Sequence, residues 1–271
     1  MRSPASVRVA GGALSLLGWR GGLCVYDWAT GQRRVRVPAE DGLLGGAWPE
    51  RDLGVVCIGK PDYRRPINPA SACELRRLST GEVLVRRRLK VLAIALACGG
   101  MLAVAGGSTV RLLDLELRQV RVWPSLLPIW SLRTWAAVAL AFSSDGGRLA
   151  LGVRSGGQVG VTSWDVRSGN ELGRVSWPAR DLPGVPDCGT DRALRLGFGA
   201  GGALAAVLQE EDDETGPHRG SLHVHDGRTG AAIAVIDLEC EPVSDWAFSP
   251  DGQRLAITRD NTVEIWGLDA P

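Results

Sequence analysis

AFSSDGGRLALGV at residues 141–153 and AFSPDGQRLAITR at residues 247–259 are near copies of one another, 106 residues apart. Each opens on an apolar run, turns at Asp-Gly and returns through a second apolar run. Asp-Gly between alternating apolar residues marks a hairpin, because Gly accepts the positive φ that such turns need. Asp145-Gly146 and Asp251-Gly252 are therefore expected to join a first strand to a second. Another alternating strand follows each hairpin, VGVTSWDVRSGN at 159–170 and TVEIWGLD at 262–269. The same three strands in the same order, twice, make an internal repeat, and a repeat governs the whole fold.

Weaker copies fill the rest of the chain. Hairpin-like openers stand at VRVAGGALSLLGW (7–19), GAWPERDLGVVCIG (46–59), IALACGGMLAVAGG (94–107) and LGFGAGGALAAVLQ (196–209). Third strands ending in a turn stand at LCVYDWATG (23–31), CELRRLSTG (73–81), TVRLLDLEL (109–117) and LHVHDGRTG (222–230). Aligned on that turn, the Asp-equivalent positions are Asp27, Arg77, Asp114, Asp165, Asp226 and Gly267, at spacings of 50, 37, 51, 61 and 41. Propeller blades take about 40–45 residues, plus whatever their loops insert. In the turns at Thr30-Gly31, Thr80-Gly81, Ser168-Gly169 and Thr229-Gly230, Gly again supplies the left-handed conformation.

The six-fold pattern resembles the tryptophan–aspartate (WD) repeat β-propeller family, in the style common among bacterial examples. Phe142, Asp145, Gly146, Leu149, Ala150, Trp164 and Asp165 carry the resemblance in the fourth repeat. Phe248, Pro250, Asp251, Gly252, Leu255, Ala256, Ile265 and Trp266 carry it in the sixth. The match is loosest in the second and third repeats. The family's Gly-His pair is absent from every repeat, so the internal His–Asp network that many members use is not expected. The resemblance implies an all-β fold: a β-propeller of about six four-stranded blades, one domain over residues 1–271. Trp164 and Trp266 are expected to fill space between blades.

Composition fits this reading. The chain has 36 Gly for turns and 10 Trp, with 45% hydrophobic and 23% charged residues. The net charge of +1 hides an asymmetry: residues 1–90 carry 16 Lys and Arg against 8 Asp and Glu, residues 91–180 carry 9 against 5, and residues 181–271 carry 6 against 17. The six Cys (Cys24, Cys57, Cys73, Cys98, Cys188 and Cys240) form no C-x-x-C pair, and several lie in apolar strand-like runs. They are expected to be reduced and structural. The opening MRSPASVRVAGGALSLLGW is a poor signal peptide, since Arg8 interrupts it. A cytoplasmic protein is expected. Val91–Val110 is free of charge for 20 residues, long enough to span a bilayer. The Gly pairs at 99–100 and 106–107 mark turns instead, so two buried strands are expected there.

Catalytic signatures are missing: there is no G-x-S-x-G and no phosphate-cradling G-x-x-x-x-G-K-[ST]. His223 and His225 share one strand face beside the acidic run Glu210–Glu214, but the expected reading is a strand pair and a solvated loop, not a metal site. No cofactor is expected. Arg64, Arg65 and Arg86–Arg88 lack the interleaved aromatic residues of a nucleic-acid platform. The expected function is a non-catalytic binding module or scaffold for a protein or peptide. The alternative is a propeller hydrolase or lyase with a site at the channel mouth, which would need converging acid and base groups that the sequence does not supply.

The resemblance also implies where binding would happen. The F-S-P-D-G and D-x-x-T-G turns lie on one face of the family's fold, which puts the long insertions, at 61–72, 123–135, 177–193 and 210–220, on the other. The loop WPSLLPIWSLRTW (123–135) holds Trp123, Leu126, Leu127, Trp130, Arg133 and Trp135; with Arg64 and Arg65 these are the candidate partner-binding residues. The competing reading has the loop packing over the blade edges or plugging the channel. Finally, the last repeat ends after its third strand. Its blade is expected to lack the outer strand, leaving Thr262–Trp266 as an edge blunted by Asp260, Thr262 and Glu264. A monomer with a three-stranded last blade is expected; the alternatives are a dimer joined through that edge and a strand donated by a partner.

Overall fold

In a computed structural model of the chain, the described residues are 6–10, 13–18, 22–27, 32–37, 42–59, 70–97, 99–106, 109–124, 138–155, 158–178, 192–199, 203–210, 219–226, 229, 231–237, 243–249, 254–259 and 262–267. They hold 23 strands and one short 3₁₀ turn, with no α-helix. The strands form six antiparallel sheets, each a meander in which consecutive strands pair. The chain divides into two compact units, Met1–Pro124 and Ser125–Pro271, with three sheets apiece.

In the first unit, sheet 1 is β1 (Ser6–Ala10), β2 (Ala13–Gly18), β3 (Gly22–Asp27) and β4 (Arg33–Val37). Sheet 2 is β5 (Gly42–Trp48), β6 (Leu53–Ile58), β7 (Ala70–Arg77) and β8 (Val83–Val91). Sheet 3 is β9 (Ala93–Leu96), β10 (Leu102–Gly106), β11 (Thr109–Leu113) and β12 (Gln119–Pro124). The charge-free stretch at 91–110 thus becomes two buried strands and the start of a third. No helix among the described residues is long and apolar enough to cross a membrane.

A single apolar core joins sheets 2 and 3. Trp48, Val55, Cys57, Cys73 and Leu75 from one meet Ile94, Leu102, Val104 and Leu113 from the other. The central strands need apolar side chains on both faces for this packing, which is why LAVA at 102–105 does not alternate. The buried Trp48 indole donates from Nε1 to the Ala97 carbonyl at 2.7 Å, pinning one sheet to the next.

In the second unit, sheet 4 is β13 (Val138–Phe142), β14 (Arg148–Ser155), β15 (Gln158–Asp165) and β16 (Glu171–Pro178). Sheet 5 is β17 (Arg192–Phe198), β18 (Ala203–Glu210), β19 (Arg219–Asp226) and β20 (Ala232–Asp237). Sheet 6 has three strands, β21 (Val243–Phe248), β22 (Arg254–Arg259) and β23 (Thr262–Gly267). Leu222, Val224 and Ile236 of sheet 5 pack on Leu255 and Ile257 of sheet 6.

Turn chemistry follows the sequence closely. Gly146, Gly81 and Gly169 have φ of 71°, 75° and 82°. At the first hairpin of sheet 4, the Gly146 N–H donates to Ser143 O and the Gly147 N–H donates to Asp145 Oδ1. A further regularity repeats in all five four-stranded sheets. The third–fourth strand pairing shifts register as it reaches Tyr26, Arg76, Leu113, Trp164 and His225. Each of these is the residue just before an aligned Asp-equivalent position, so one bulge marks the same place in every repeat.

Candidate interaction surface

Of the partner-binding residues nominated by sequence, Trp123 is described. It lies on β12, not in a loop, and is buried, with the Arg121 guanidinium 5.9 Å from its ring centroid. Its place opposite Val110 on β11 turns it into the sheet, which removes it from a partner's reach. Leu126, Leu127, Trp130, Arg133, Trp135, Arg64 and Arg65 lie outside the described residues. Trp177, placed by sequence at the start of an insertion, is a half-buried residue of β16.

The sixth sheet presents the most distinctive surface. Within the described residues no strand lies beyond β23, so a third strand forms the edge. Its sequence, TVEIWG, contains no Lys, Arg or Pro. Four of the five fourth strands, which form the edges elsewhere, do carry such residues: Arg33, Arg34 and Arg36 on β4, Arg86–Arg88 and Lys90 on β8, Arg121 and Pro124 on β12, and Arg174 and Pro178 on β16. Charge and proline are the usual means of protecting an edge from pairing. β23 carries a single charge, Glu264, and no Lys, Arg or Pro, and is otherwise of interior-strand composition.

The exposed side chains bear this out. Val263 and Ile265, two apart on one face, are 65% and 67% exposed. On the same strand Glu264 Oε2 accepts the Trp266 indole N–H at 3.1 Å. Asp260 lies outside the described residues. Trp266 occupies the position of Trp164, yet it is 40% exposed where Trp164 is buried. The expectation that Trp266 fills space between blades is therefore corrected: among the described residues no fourth strand covers it.

The remaining titratable groups are explained by packing. Asp165 accepts the Ser168 backbone N–H and hydroxyl, which hold its carboxyl below the usual range. The Ser143 hydroxyl and Gly147 N–H do the same for Asp145. At Asp114, burial works upward, but hydrogen bonds from the Arg118 side chain and from backbone N–H groups outweigh it and the net shift is downward. Buried Glu74 is paired with Arg76, and Arg86 on the neighbouring strand lies 3.5 Å from it. His223 and His225 lie parallel on β19 with Trp177 stacked on both, at centroid distances of 4.3 and 5.4 Å. Burial, and then the His225 charge, lower the His223 pKa to about 4. Among the described residues no three His, Cys, Asp or Glu side chains are grouped to hold a metal ion.

Solved structures share this architecture. A Kluyveromyces lactis protein, Hsv2, superposes with a TM-score of 0.61 at 13% identity, covering 96% of this chain and 72% of its own. The computationally designed protein Ika8 gives 0.59 at 17% identity, over 96% of this chain and 70% of that one. KlAtg21, solved in complex with the coiled coil of AgAtg16, gives 0.62 at 10% identity, over 95% and 78%. The fold is a β-propeller. No family model and no curated protein matches the sequence. At these identities the likeness carries the propeller fold and nothing finer.

Proposed function

We propose that this propeller is a non-catalytic binding module of the WD-repeat kind, a single domain over residues 1–271 that takes a protein or peptide partner. The observation that carries this reading is the edge at β23, which has no Lys, Arg or Pro and exposes Val263 and Ile265. An extended segment added alongside would take the place that a fourth strand has in the other sheets, pair with the outward backbone groups and cover Val263 and Ile265. Covering those two side chains contributes about 2–4 kcal/mol, before the cost of ordering the segment. Three of the chain's own fourth strands, β4, β8 and β12, indicate its chemistry: apolar residues mixed with Arg or Lys. The excess of 17 Asp and Glu over 6 Lys and Arg across residues 181–271 favours such a basic segment. KlAtg21, solved with a coiled coil, supports the idea that a propeller of this architecture takes a protein partner. That partner is helical, so strand addition rests on β23.

The segment 125–137, between β12 and β13 in sequence, is proposed as a second contact, through Leu126, Leu127, Trp130, Arg133 and Trp135, with Arg64 and Arg65 from between β6 and β7. Trp and Arg are favoured interface anchors. Affinity capture with three baits tests both surfaces: the unaltered protein, Val263→Lys with Ile265→Lys, and Trp130→Ala with Trp135→Ala. The expected result is a specific partner lost with the edge variant and weakened with the loop variant, both variants keeping the wild-type unfolding midpoint. Equal capture by all three folded baits would reject the reading.

A further inference from the structure

Cys57 on β6 and Cys73 on β7 stand directly opposite one another in an antiparallel pair. Directly opposed residues in such a pair have Cα atoms about 4.5–5.5 Å apart, inside the range of about 4.4–6.8 Å that a disulfide bridges. The register alone therefore satisfies the covalent requirement. The side chains add to it. Both residues are 0% exposed, and their sulfur atoms lie 2.7 Å apart, pointing at each other in the core between sheets 2 and 3. The sequence reading of reduced, purely structural cysteines does not anticipate two thiols facing each other.

We propose that Cys57 and Cys73 are a redox modification site, joined by a cross-strand disulfide when the chain folds in the presence of a small-molecule disulfide such as oxidised glutathione. The thiolate of one cysteine attacks a glutathione sulfur, forming a mixed disulfide and releasing one glutathione thiol. The second cysteine attacks the protein sulfur of that mixed disulfide and releases the second glutathione. Two protein thiols are oxidised, one glutathione disulfide is reduced to two thiols, and the protons pass to the released thiols.

The exchange belongs to the unfolded or opened chain, because neither sulfur is accessible once sheet 2 has packed. Burial, and the hydrogen bond with Cys73, push the Cys57 thiol well above its usual pKa. The folded, reduced pair is thus held neutral and slow to react, and the bond once formed is shielded from reductant. The bridge ties the base of the connection between β6 and β7, 16 residues apart in sequence, and removes freedom from the unfolded chain. Cys24 is half-buried on β3; Cys98, Cys188 and Cys240 lie outside the described residues.

The test is refolding from denaturant with a glutathione redox mixture, then quenching with N-ethylmaleimide under denaturing conditions, proteolysis and mass mapping. The expected result is a linked peptide joining Cys57 to Cys73, two hydrogens lighter than its parts, with neither residue carrying the label. The oxidised protein is expected to melt several degrees above the reduced one. That difference should vanish in Cys57→Ser and in Cys73→Ser. Labelling of both residues in the oxidised, refolded protein, or their linkage to other cysteines, would overturn the proposal. Because mapping uses the unaltered chain, a variant that fails to fold does not decide the matter.

Discussion

At the scale of single residues, the turn after each third strand shows how one task passes between side chains. Asp165 and Asp226 each accept a backbone N–H from three residues on, Ser168 and Thr229. The second repeat has Arg77 at that place, and the sequence leaves its turn without an acceptor. Asp52, from the opposite hairpin of the same sheet, takes the role, accepting the Ser79 N–H at 2.8 Å and the Ser79 hydroxyl. Its carbonyl also receives Leu78 N–H, as Gly147 receives Val166 N–H in sheet 4. Asp52 has φ of 55°, a conformation that Asp and Asn tolerate better than other non-glycine residues. Asp52→Ala is therefore expected to cost about 1–2 kcal/mol in chemical denaturation, from the lost acceptor and the left-handed backbone together. Asp52→Asn should cost less. Equal losses would show that the acceptor and the backbone preference do not set the cost. The aspartates within the aligned turns were readable from the repeat; Asp52 was not, because its partner lies 27 residues away.

His223 gives a second prediction at this scale. Its pKa falls from the ordinary His value of about 6.5 to about 4 in the fold. The unfolded chain then holds more protons between those values, so stability is fully present above pH 6.5 and is lost as pH falls toward 4. His223→Phe keeps a ring under Trp177 and removes the titration. Unfolding midpoints measured from pH 7.5 to 4.5 should fall less steeply in the variant. An unchanged slope would assign the pH dependence to other groups.

At the scale of elements, the strands of the hairpins and third strands were legible throughout, since apolar runs and Gly turns bracket them. The fourth strands were not assigned one by one. Most are edge strands with polar and basic residues, as in β4, β8, β12 and β16, and lack the apolar run that marks an interior strand; β20, AIAVID, is the exception. The repeated bulge was also hidden, being a property of pairing and not of composition. Glycines inside strands misled most. The sequence reading sent its glycines to turns, yet Gly197 and Gly199 lie at β17, beneath Trp246 and Phe248 of β21. A Cβ at Gly197 would stand 2.3 Å from the Trp246 ring, and one at Gly199 would stand 2.9 Å from Phe248. The two rings meet edge to face at 5.8 Å, so neither can swing aside without disturbing the other. Gly197→Ala is expected to destabilise by about 1–3 kcal/mol through overpacking, read as a lower denaturation midpoint at unchanged slope. Wild-type stability would show that the first strands of sheets 5 and 6 separate easily.

At the scale of the whole molecule, the described residues form six sheets in chain order, as the six-fold alignment implies, and the last of them has three strands. The candidate site was less legible. The sequence drew attention to tryptophans, and Trp123 proved to be packing. The edge at Thr262–Trp266 was readable from the repeat, but the degree to which Val263 and Ile265 stand exposed on it was not, because a strand of this composition reads as interior whether or not a neighbour covers it. Exposure of an interior-type strand is visible only once the sheets are assembled. The most direct measurement of the central claim is amide hydrogen exchange along Val263–Trp266, with the mass of the species established in the same sample. Fast exchange is expected at the outward-facing amides of the free protein at the mass of one chain, and slow exchange there when the captured partner is bound. Strong protection in the free single chain, or exchange that the partner leaves unchanged, would contradict it.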